Sequence, residues 1–189
     1  MTSETSSASW RAQRVNTDPG AGAVRTAPAP ALSRSATPAG AMFKRYTGTA
    51  RMTLIQAVRE AQAAGHAAVD TEHLLLGIAA GGGPPAHVLA ELGGTELALR
   101  MAAGRLPPDG RRLMPACPAG LTWRLRQVLA LALTQAESLG QDRVGPEHLL
   151  LALAAEGRGR GARALAIAGI PASKLRAAML SILGASTSN

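Results

Sequence analysis

The sequence predicts an all-α protein made of two tandem four-helix repeats behind a disordered N-terminal tail. Of its 189 residues, 47% are hydrophobic but only 2% are aromatic. Leucine and alanine, which favour helices, must therefore fill the core, and the residue types that favour strands are scarce. The second observation is self-similarity at a fixed spacing, which is typical of a repeat architecture.

The repeat rests on three pairs of landmarks that share one offset. The run TEHLLL at residues 71–76 returns as PEHLLL at residues 146–151, 75 positions later. Further along, Leu89 matches Leu165 at an offset of 76, so the second copy carries one inserted residue. The landmark pairs at the offset of 75 are Thr47 and Thr122, Gly65 and Gly140, and Glu72 and Glu147. The repeats are predicted to be related by a pseudo-twofold axis.

The first two helices of repeat 1 (about residues 42–103) are marked by caps. Thr47 can accept a hydrogen bond from an unpaired amide at the start of the first helix. Gly65 ends this helix, since glycine readily takes the left-handed conformation found there. Asp70 or Thr71 can cap the second helix. The apolar face of the first helix follows at i, i+4 and i+7: Leu54, Val58 and Ala61.

The other two helices of repeat 1 are shorter. Pro84 and Pro85 open the third, which is predicted to end at Gly93 and Gly94. Thr95 caps the fourth, for which the expected buried residues are Leu97, Met101 and Ala102. A Gly-, Pro- and Arg-rich linker is predicted at 104–120.

Repeat 2 (about residues 121–184) copies this plan. Its first helix is predicted to run from Thr122 to Leu139, and Pro146 falls in the first turn of the second, where its missing N–H costs nothing. The last two helices are placed at about Ala162–Ala168 and from Pro171 or Ser173 to Gly184, with Leu175, Met179 and Ile182 facing the core.

The chain ends are predicted to be disordered. Residues 1–41 are rich in Ser, Thr, Ala, Pro and Arg and poor in acids, a composition that cannot build a core and resembles a transit peptide. Residues 185–189 are expected to be disordered as well. No stretch of about 18 apolar residues occurs, so no transmembrane helix and no membrane partner are expected.

Residues 42–184 resemble the N-terminal domain of Clp-type AAA+ unfoldases, above all the ClpC branch. The segments that carry the resemblance read MFKRYT from Met42, DTEHLLLG from Asp70 and GPEHLLLA from Gly145. The resemblance implies a module that binds client proteins or peptides and meets a Clp unfoldase or its adaptors. Since the family starts at Met-Phe, residues 1–41 are alternatively a mis-assigned upstream extension.

No catalysis and no cofactor are expected. The 189 residues contain no G-x-x-x-x-G-K-[ST] phosphate loop, no H-E-x-x-H metal motif and no recognisable nucleophile arrangement. The chain is therefore expected to be a stand-alone recognition module, acting as an adaptor or as a decoy in Clp-dependent protein quality control. Its single cysteine, Cys117, fits a reducing compartment, and a cytoplasmic, bacterial protein is expected.

Glu72 and Glu147 are the leading candidates for a ligand site. Each lies in the first turn of a helix, where unpaired amides can hold an anion while the carboxylate holds a cation. This combination suits a phosphorylated guanidinium, and the resemblance implies phosphoarginine as the ligand. The alternative is that each glutamate only caps its helix. Because Pro146 removes a donor amide and a hydroxyl, repeat 1 is expected to bind better than repeat 2.

The resemblance adds further residues to the candidate site. It implies ligand contacts for Thr47, Thr71 and Thr122, and it makes Phe43 either an anchor for a bound peptide or a residue that packs on the first helix. The histidines that follow the two glutamates are expected to be structural. His66 and His87 are expected to be isolated at the surface.

The net charge of +8, from 20 Lys and Arg against 12 Asp and Glu, supports a second function class, an Arg-rich nucleic-acid-associated protein. The arginines are spread over the tail, the linker and both repeats. This distribution disfavours a dedicated nucleic-acid groove and favours protein recognition.

Overall fold

The computed structural model describes residues 43–107 and 120–186, and its regular elements there are eight α-helices and one 3-10 turn, Phe43–Arg45. This confirms the all-α prediction. Cys117, the N-terminal tail and most of the linker lie outside the described residues. The helices are α1 Gly48–Ala63, α2 Thr71–Ala80, α3 Gly83–Glu91, α4 Glu96–Gly104, α5 Trp123–Ser138, α6 Pro146–Glu156, α7 Arg160–Ile167 and α8 Ala172–Ser186.

The first helix of each repeat starts at the predicted cap. Thr47 Oγ1 accepts a hydrogen bond from the amide of Ala50 at 3.1 Å, and Thr122 Oγ1 accepts one from Leu125 at 3.2 Å. Asp70, rather than Thr71, caps α2. After α1 and α5 the chain turns through glycines with a φ of +68° at both equivalent positions, 65 and 140. The repeated sequence therefore produces repeated local structure.

Two short backbone pairings join the repeats. Tyr46 forms an isolated parallel bridge with Val144, and Leu121 forms one with Val69. Tyr46 and Leu121 are 75 positions apart, as are Val69 and Val144, so the two bridges are the same contact made twice. Each links the segment before the first helix of one repeat to the segment before the second helix of the other. The pairing gives the molecule its predicted pseudo-twofold relation.

The central helices are α2 and α6, which carry the repeated leucine runs. Helix α1 packs on α2, α5 packs on α6, and α2 and α6 also contact each other. Burying these side chains removes apolar area from water, which is the dominant favourable contribution to folding. The fully buried large side chains of α2 and α6 are Leu74, Leu75, Ile78, Leu149, Leu150, Leu151 and Leu153.

Repeat 1 has a helix contact that depends on a glycine. A Cβ on Gly77 of α2 would lie 2.8 Å from the carbonyl oxygen of Thr53 and 2.9 Å from the backbone nitrogen of Ala57 in α1. The position equivalent to Gly77 in repeat 2 is Ala152, which is fully buried. Helices α1 and α2 therefore pack with backbone against backbone at this point.

Of the three residues predicted to be buried in α4, Ala102 is buried, but the predictions for Leu97 and Met101 are wrong. Leu97 is 69% exposed and Met101 is 55% exposed, whereas Leu99 and Ala102 are buried. Helix α4 carries apolar residues around most of its circumference, so the spacing of these residues was compatible with either of two buried faces. It turns the face with Leu99 inward because it must pack on α2 and α7.

The ends of two late helices also differ from the prediction. Helix α7 begins at Arg160, two residues before the expected start, and α8 continues past Gly184 to Ser186. Leu175 and Met179 are buried as predicted, while Leu183 takes the buried position and Ile182 is half-buried.

No single helix within 43–107 and 120–186 has both the length and the apolarity to cross a membrane. Helices α7 and α8 meet those limits only as a pair, over Arg160–Ile167 and Ala172–Gly184, with a bend of 100° between them.

Candidate functional site

Each candidate site is assembled from both repeats. Thr122, at the start of α5, donates a hydrogen bond from Oγ1 to Asp70 Oδ1 at 3.0 Å, which places it beside the start of α2. The amide of Thr47, at the start of α1, donates to the carbonyl of Val144 at 2.9 Å, just before α6. The structure thus groups Thr122 with the Glu72 site and Thr47 with the Glu147 site. Sequence reasoning named these residues without pairing them.

The polar groups at the start of α2 are engaged within the chain. Glu72 is only 3% exposed, and its Oε2 accepts a hydrogen bond from the Nε of Arg160. Thr71 Oγ1 accepts from the amide of Gly161 at 3.0 Å, and the Thr71 amide donates to Asp70 Oδ1 at 2.6 Å. The hydroxyl and amide of Thr71 were the reason to expect tighter binding in repeat 1 than in repeat 2, and both already have partners within the chain.

A pair of histidines lies beside Glu72. His73 Nδ1 accepts a hydrogen bond from the amide of Asp70 at 2.9 Å, so the neutral ring carries its proton on Nε2. That Nε2 lies 2.7 Å from Nδ1 of His66, to which it donates. The expectation that His66 is isolated is therefore wrong, because the fold brings it onto His73.

The same three side chains, His66, Glu72 and His73, have ligand atoms within 4.8 Å of one another, close enough to hold a metal ion. A metal ligand must offer a lone pair, however, and the Nε2 of His73 carries a proton while Nδ1 is bonded to the backbone. The Arg160 guanidinium on Glu72 adds a positive charge that would repel a cation. The donor set fits a hydrogen-bonded pair better than a metal centre.

The polar side chains at the start of α6 have fewer partners within the described chain than those at the start of α2. Glu147 is half-buried and forms no hydrogen bond or ion pair with another described residue. His148 is 1% exposed, and its Nδ1 accepts from the amide of Gly145 at 3.0 Å. Its Nε2 is the only buried side-chain nitrogen or oxygen without a hydrogen-bond partner in the part of the chain that the structure describes. Gln141 occupies the position that His66 holds in repeat 1.

The environment of His148 favours its neutral form. Burial lowers the pKa of His148, and the negative charge of Glu147 opposes that shift without cancelling it. The neutral ring accepts from the backbone at Nδ1 and carries a proton at Nε2. The second site therefore combines a carboxylate with a buried N–H donor.

Phe43 packs on the protein. Its ring meets that of Tyr46 edge to face, with 5.4 Å between the ring centres and an angle of 63° between the planes. Tyr46 is buried and donates from its hydroxyl to the carbonyl of Leu129 at 3.0 Å across the repeats. Packing is thus present for Phe43, which remains half-buried, and a role as a peptide anchor stays a prediction.

Sequence reasoning missed two features. Arg160 was not selected because its partner, Glu72, lies 88 positions away in the sequence. The second feature is an open groove of about 700 Å³ along α5 and the end of α6. It is lined in part by Trp123, which is 67% exposed, and by Arg124, which pairs with Glu156 at 2.8 Å.

Comparison with protein families identifies the architecture. The model of the Clp repeat (R) N-terminal domain matches residues 45–110 and 120–189, one match for each repeat. The chain belongs to this Clp repeat family. The two matched segments correspond to the two pseudo-twofold halves of the structure.

Curated relatives of this Clp repeat chain are much longer. It is 36% identical over 148 residues to the chloroplastic chaperone protein ClpC1 of Oryza sativa subsp. japonica, covering 78% of this chain and 16% of that protein. It is 37% identical over 147 residues to the chloroplastic ATP-dependent Clp protease ATP-binding subunit ClpA homolog CD4B of Solanum lycopersicum, covering 77% and 16%. The chain thus spans about a sixth of the length of these relatives.

A solved structure shows the same fold. The N-terminal domain of the caseinolytic protease associated chaperone ClpD from Arabidopsis thaliana matches this Clp repeat chain with a TM-score of 0.63 and 25% identity. The match covers 75% of this chain and 96% of that domain. The described helices therefore correspond to an almost complete Clp N-terminal domain.

Proposed function

We propose that this chain is a non-catalytic protein-interaction module that binds client proteins or peptides in the cytoplasm, as an adaptor or a decoy for a Clp unfoldase. Membership of the Clp repeat family supports the module. The absence of a phosphate-loop motif from the 189 residues supports a recognition role without ATP hydrolysis.

We further propose that the ligand class is phosphoarginine on client proteins. The observation that carries this proposal is the uncommitted Glu147 carboxylate beside the buried donor of His148 at the start of α6. A guanidinium would pair with Glu147, and phosphoryl oxygens would accept from first-turn amides, which have no partner within a helix. Thr47, the cap of α1, lies beside this helix start because its amide donates to the carbonyl of Val144, and its side chain is half-buried.

The corresponding groups in repeat 1 are Thr71, Glu72 and Thr122, and Phe43 remains the candidate peptide anchor. These assignments share one chemical requirement: a carboxylate for the guanidinium and N–H or O–H donors for the phosphoryl group. Charge-assisted hydrogen bonds of this kind contribute about 1.5–3 kcal/mol each. A site with two of them would separate phosphoarginine from arginine or phosphoserine, which each satisfy half of it.

The nucleic-acid alternative gains little from the structure. A phosphate-binding surface needs a cluster of free cations; four of the described arginines are engaged in ion pairs, and the others are spread over both repeats. The paired residues are Arg45 with Glu137, Arg100 with Glu60, Arg124 with Glu156, and Arg160 with Glu72.

Calorimetric titration of the full chain tests the ligand class. Phosphoarginine, and a peptide carrying it, should bind, while the same peptide with arginine or phosphoserine should bind at least tenfold more weakly, because each lacks one charge of the pair. Equal affinity for the three peptides would reject phosphoarginine recognition.

A reconstituted degradation assay separates adaptor from decoy. With a Clp unfoldase, its peptidase and a phosphoarginine-marked client, an adaptor accelerates client loss and a decoy slows it in proportion to the chain added. An unmarked client of the same sequence is the control. No effect on either client would reject both roles.

A further inference from the structure

The equivalent glutamates of the two repeats differ in burial and in ion pairing, and one arginine accounts for the difference. Glu72 is buried and paired with Arg160, which lies in α7 of the other repeat. Glu147 is half-buried and has no such partner among residues 43–107 and 120–186. The sequences around the two glutamates are nearly the same, so the difference comes from what packs against them.

Arg160 is held as a bound guanidinium would be held. Its Nε donates to Glu72 Oε2, its Nη1 donates to the carbonyl of Pro107 at 2.9 Å, and its side chain is 10% exposed. The next residue, Gly161, donates its amide to Thr71 Oγ1 at 3.0 Å. A Cβ on Gly161 would lie 2.6 Å from the carbonyl oxygen of Thr71, so the start of α7 lies directly on the start of α2.

Repeat 2 has no equivalent of this arginine. At the offset of 76 that relates the third helices of the two repeats, Arg160 corresponds to Pro84 in α3. Helix α3 packs on α6 as α7 packs on α2, but proline offers neither a side-chain cation nor a backbone N–H. No side-chain cation at this position can therefore pair with Glu147, and the space beside its carboxylate is open to water or to a ligand.

We propose that Arg160 is a built-in occupant of the guanidinium position beside Glu72, which closes the repeat 1 site and leaves the Glu147 site as the open one. The identity of the external ligand rests on the proposed function, but the closure does not. A ligand guanidinium at Glu72 must first displace Arg160 and leave a buried cation without its partner. At Glu147 it displaces only water. The Glu147 site should therefore bind more tightly than the Glu72 site, the reverse of the order expected from Thr71 and Pro146.

Phosphoarginine titrated calorimetrically into the full chain tests the closure directly. The wild type should bind one equivalent, and Glu147→Gln, which keeps the shape of the side chain but removes its charge, should weaken that binding at least tenfold. Two equivalents in the wild type, or undiminished binding by Glu147→Gln, would overturn the closure while leaving phosphoarginine recognition standing.

A second measurement does not depend on phosphoarginine. Arg160→Ala vacates the position beside Glu72, so low millimolar methylguanidinium should raise its melting temperature, whereas the same concentration of tetramethylammonium should not. Arg160→Ala combined with Glu72→Gln is the matched control and should show no rise. Arg160→Gln replaces Arg160→Ala if the latter does not fold.

The two measurements separate the two ideas. Rescue by methylguanidinium without any phosphoarginine binding by the wild type would retain the closure and remove the proposed ligand. Rescue in neither Arg160→Ala nor Arg160→Gln, or equal rescue in the Glu72→Gln double variant, would overturn the closure.

Discussion

Replacing Gly77 with alanine should destabilise the protein, although alanine is the better helix former. The propensity gain is about 1 kcal/mol for an unconstrained helix position. The new methyl group would lie within 2.9 Å of backbone atoms of Thr53 and Ala57, and these atoms cannot rotate away as a side chain would. Helix α2 is packed on α1 and α7, so relieving the contact must move a central helix.

Overpacking of this kind costs about 1–3 kcal/mol, and the rigid backbone contact places Gly77→Ala near the upper end. Subtracting the propensity gain of about 1 kcal/mol leaves a net loss of about 2 kcal/mol in the free energy of unfolding. Urea unfolding of the full chain followed by far-UV circular dichroism measures this quantity. The slope of the transition should not change, because the surface exposed on unfolding stays the same.

Gly104→Ala is the matched control for Gly77→Ala. Gly104 also lies in a helix, α4, and a Cβ there would meet no heavy atom of the described residues within 4 Å. The same chemical change should therefore leave stability unchanged or raise it by up to about 1 kcal/mol. If Gly77→Ala is as stable as the wild type, the close approach of α1 and α2 is wrong.

Two further predictions concern polar groups in the interior. Gln141→His should stabilise the protein by about 1 kcal/mol near pH 8, because the new histidine gives the buried His148 Nε2 an acceptor, as His66 does for His73 in repeat 1. Gln141→Ala is the control and should not stabilise the protein. Urea unfolding measures both variants, and equal stabilities would show that the His148 donor is already satisfied. Arg100→Met should lower the free energy of unfolding by about 1 kcal/mol near pH 7. The reason is that the Arg100 guanidinium hydrogen-bonds the buried Glu60 and lowers the pKa of that carboxyl. The figure allows for the partial exposure of Arg100 to solvent. Since the pKa of Glu60 is lower in the folded state, this stabilisation is complete above the unfolded value of about 4.3 and is lost as the pH falls through the folded value. The difference in urea midpoint between wild type and Arg100→Met should therefore be largest near pH 7 and shrink as the pH falls below about 4. A difference that stays constant with pH would contradict the ion pair.

The candidate site was predicted in part. The pattern located Glu72 and Glu147 at helix starts, and the structure places both there. The pattern could not show that one of them is engaged, because Arg160 reaches Glu72 from 88 positions away. For the same reason, the contact between His66 and His73 was missed, since it depends on how the turn after α1 folds back on α2.

By itself, the sequence determined the helical class, the repeat and most helix starts. These follow from local physics: the hydroxyls of Thr47 and Thr122 cap nearby amides, and glycines end α1 and α5. Only the tertiary structure decided that α4 buries Leu99 and exposes Leu97, and that Arg160 meets Glu72. Capping depends on residues a few positions apart, so the local sequence predicts it. Burial and ion pairing depend on which elements of the two repeats pack together, and the local sequence does not specify this packing.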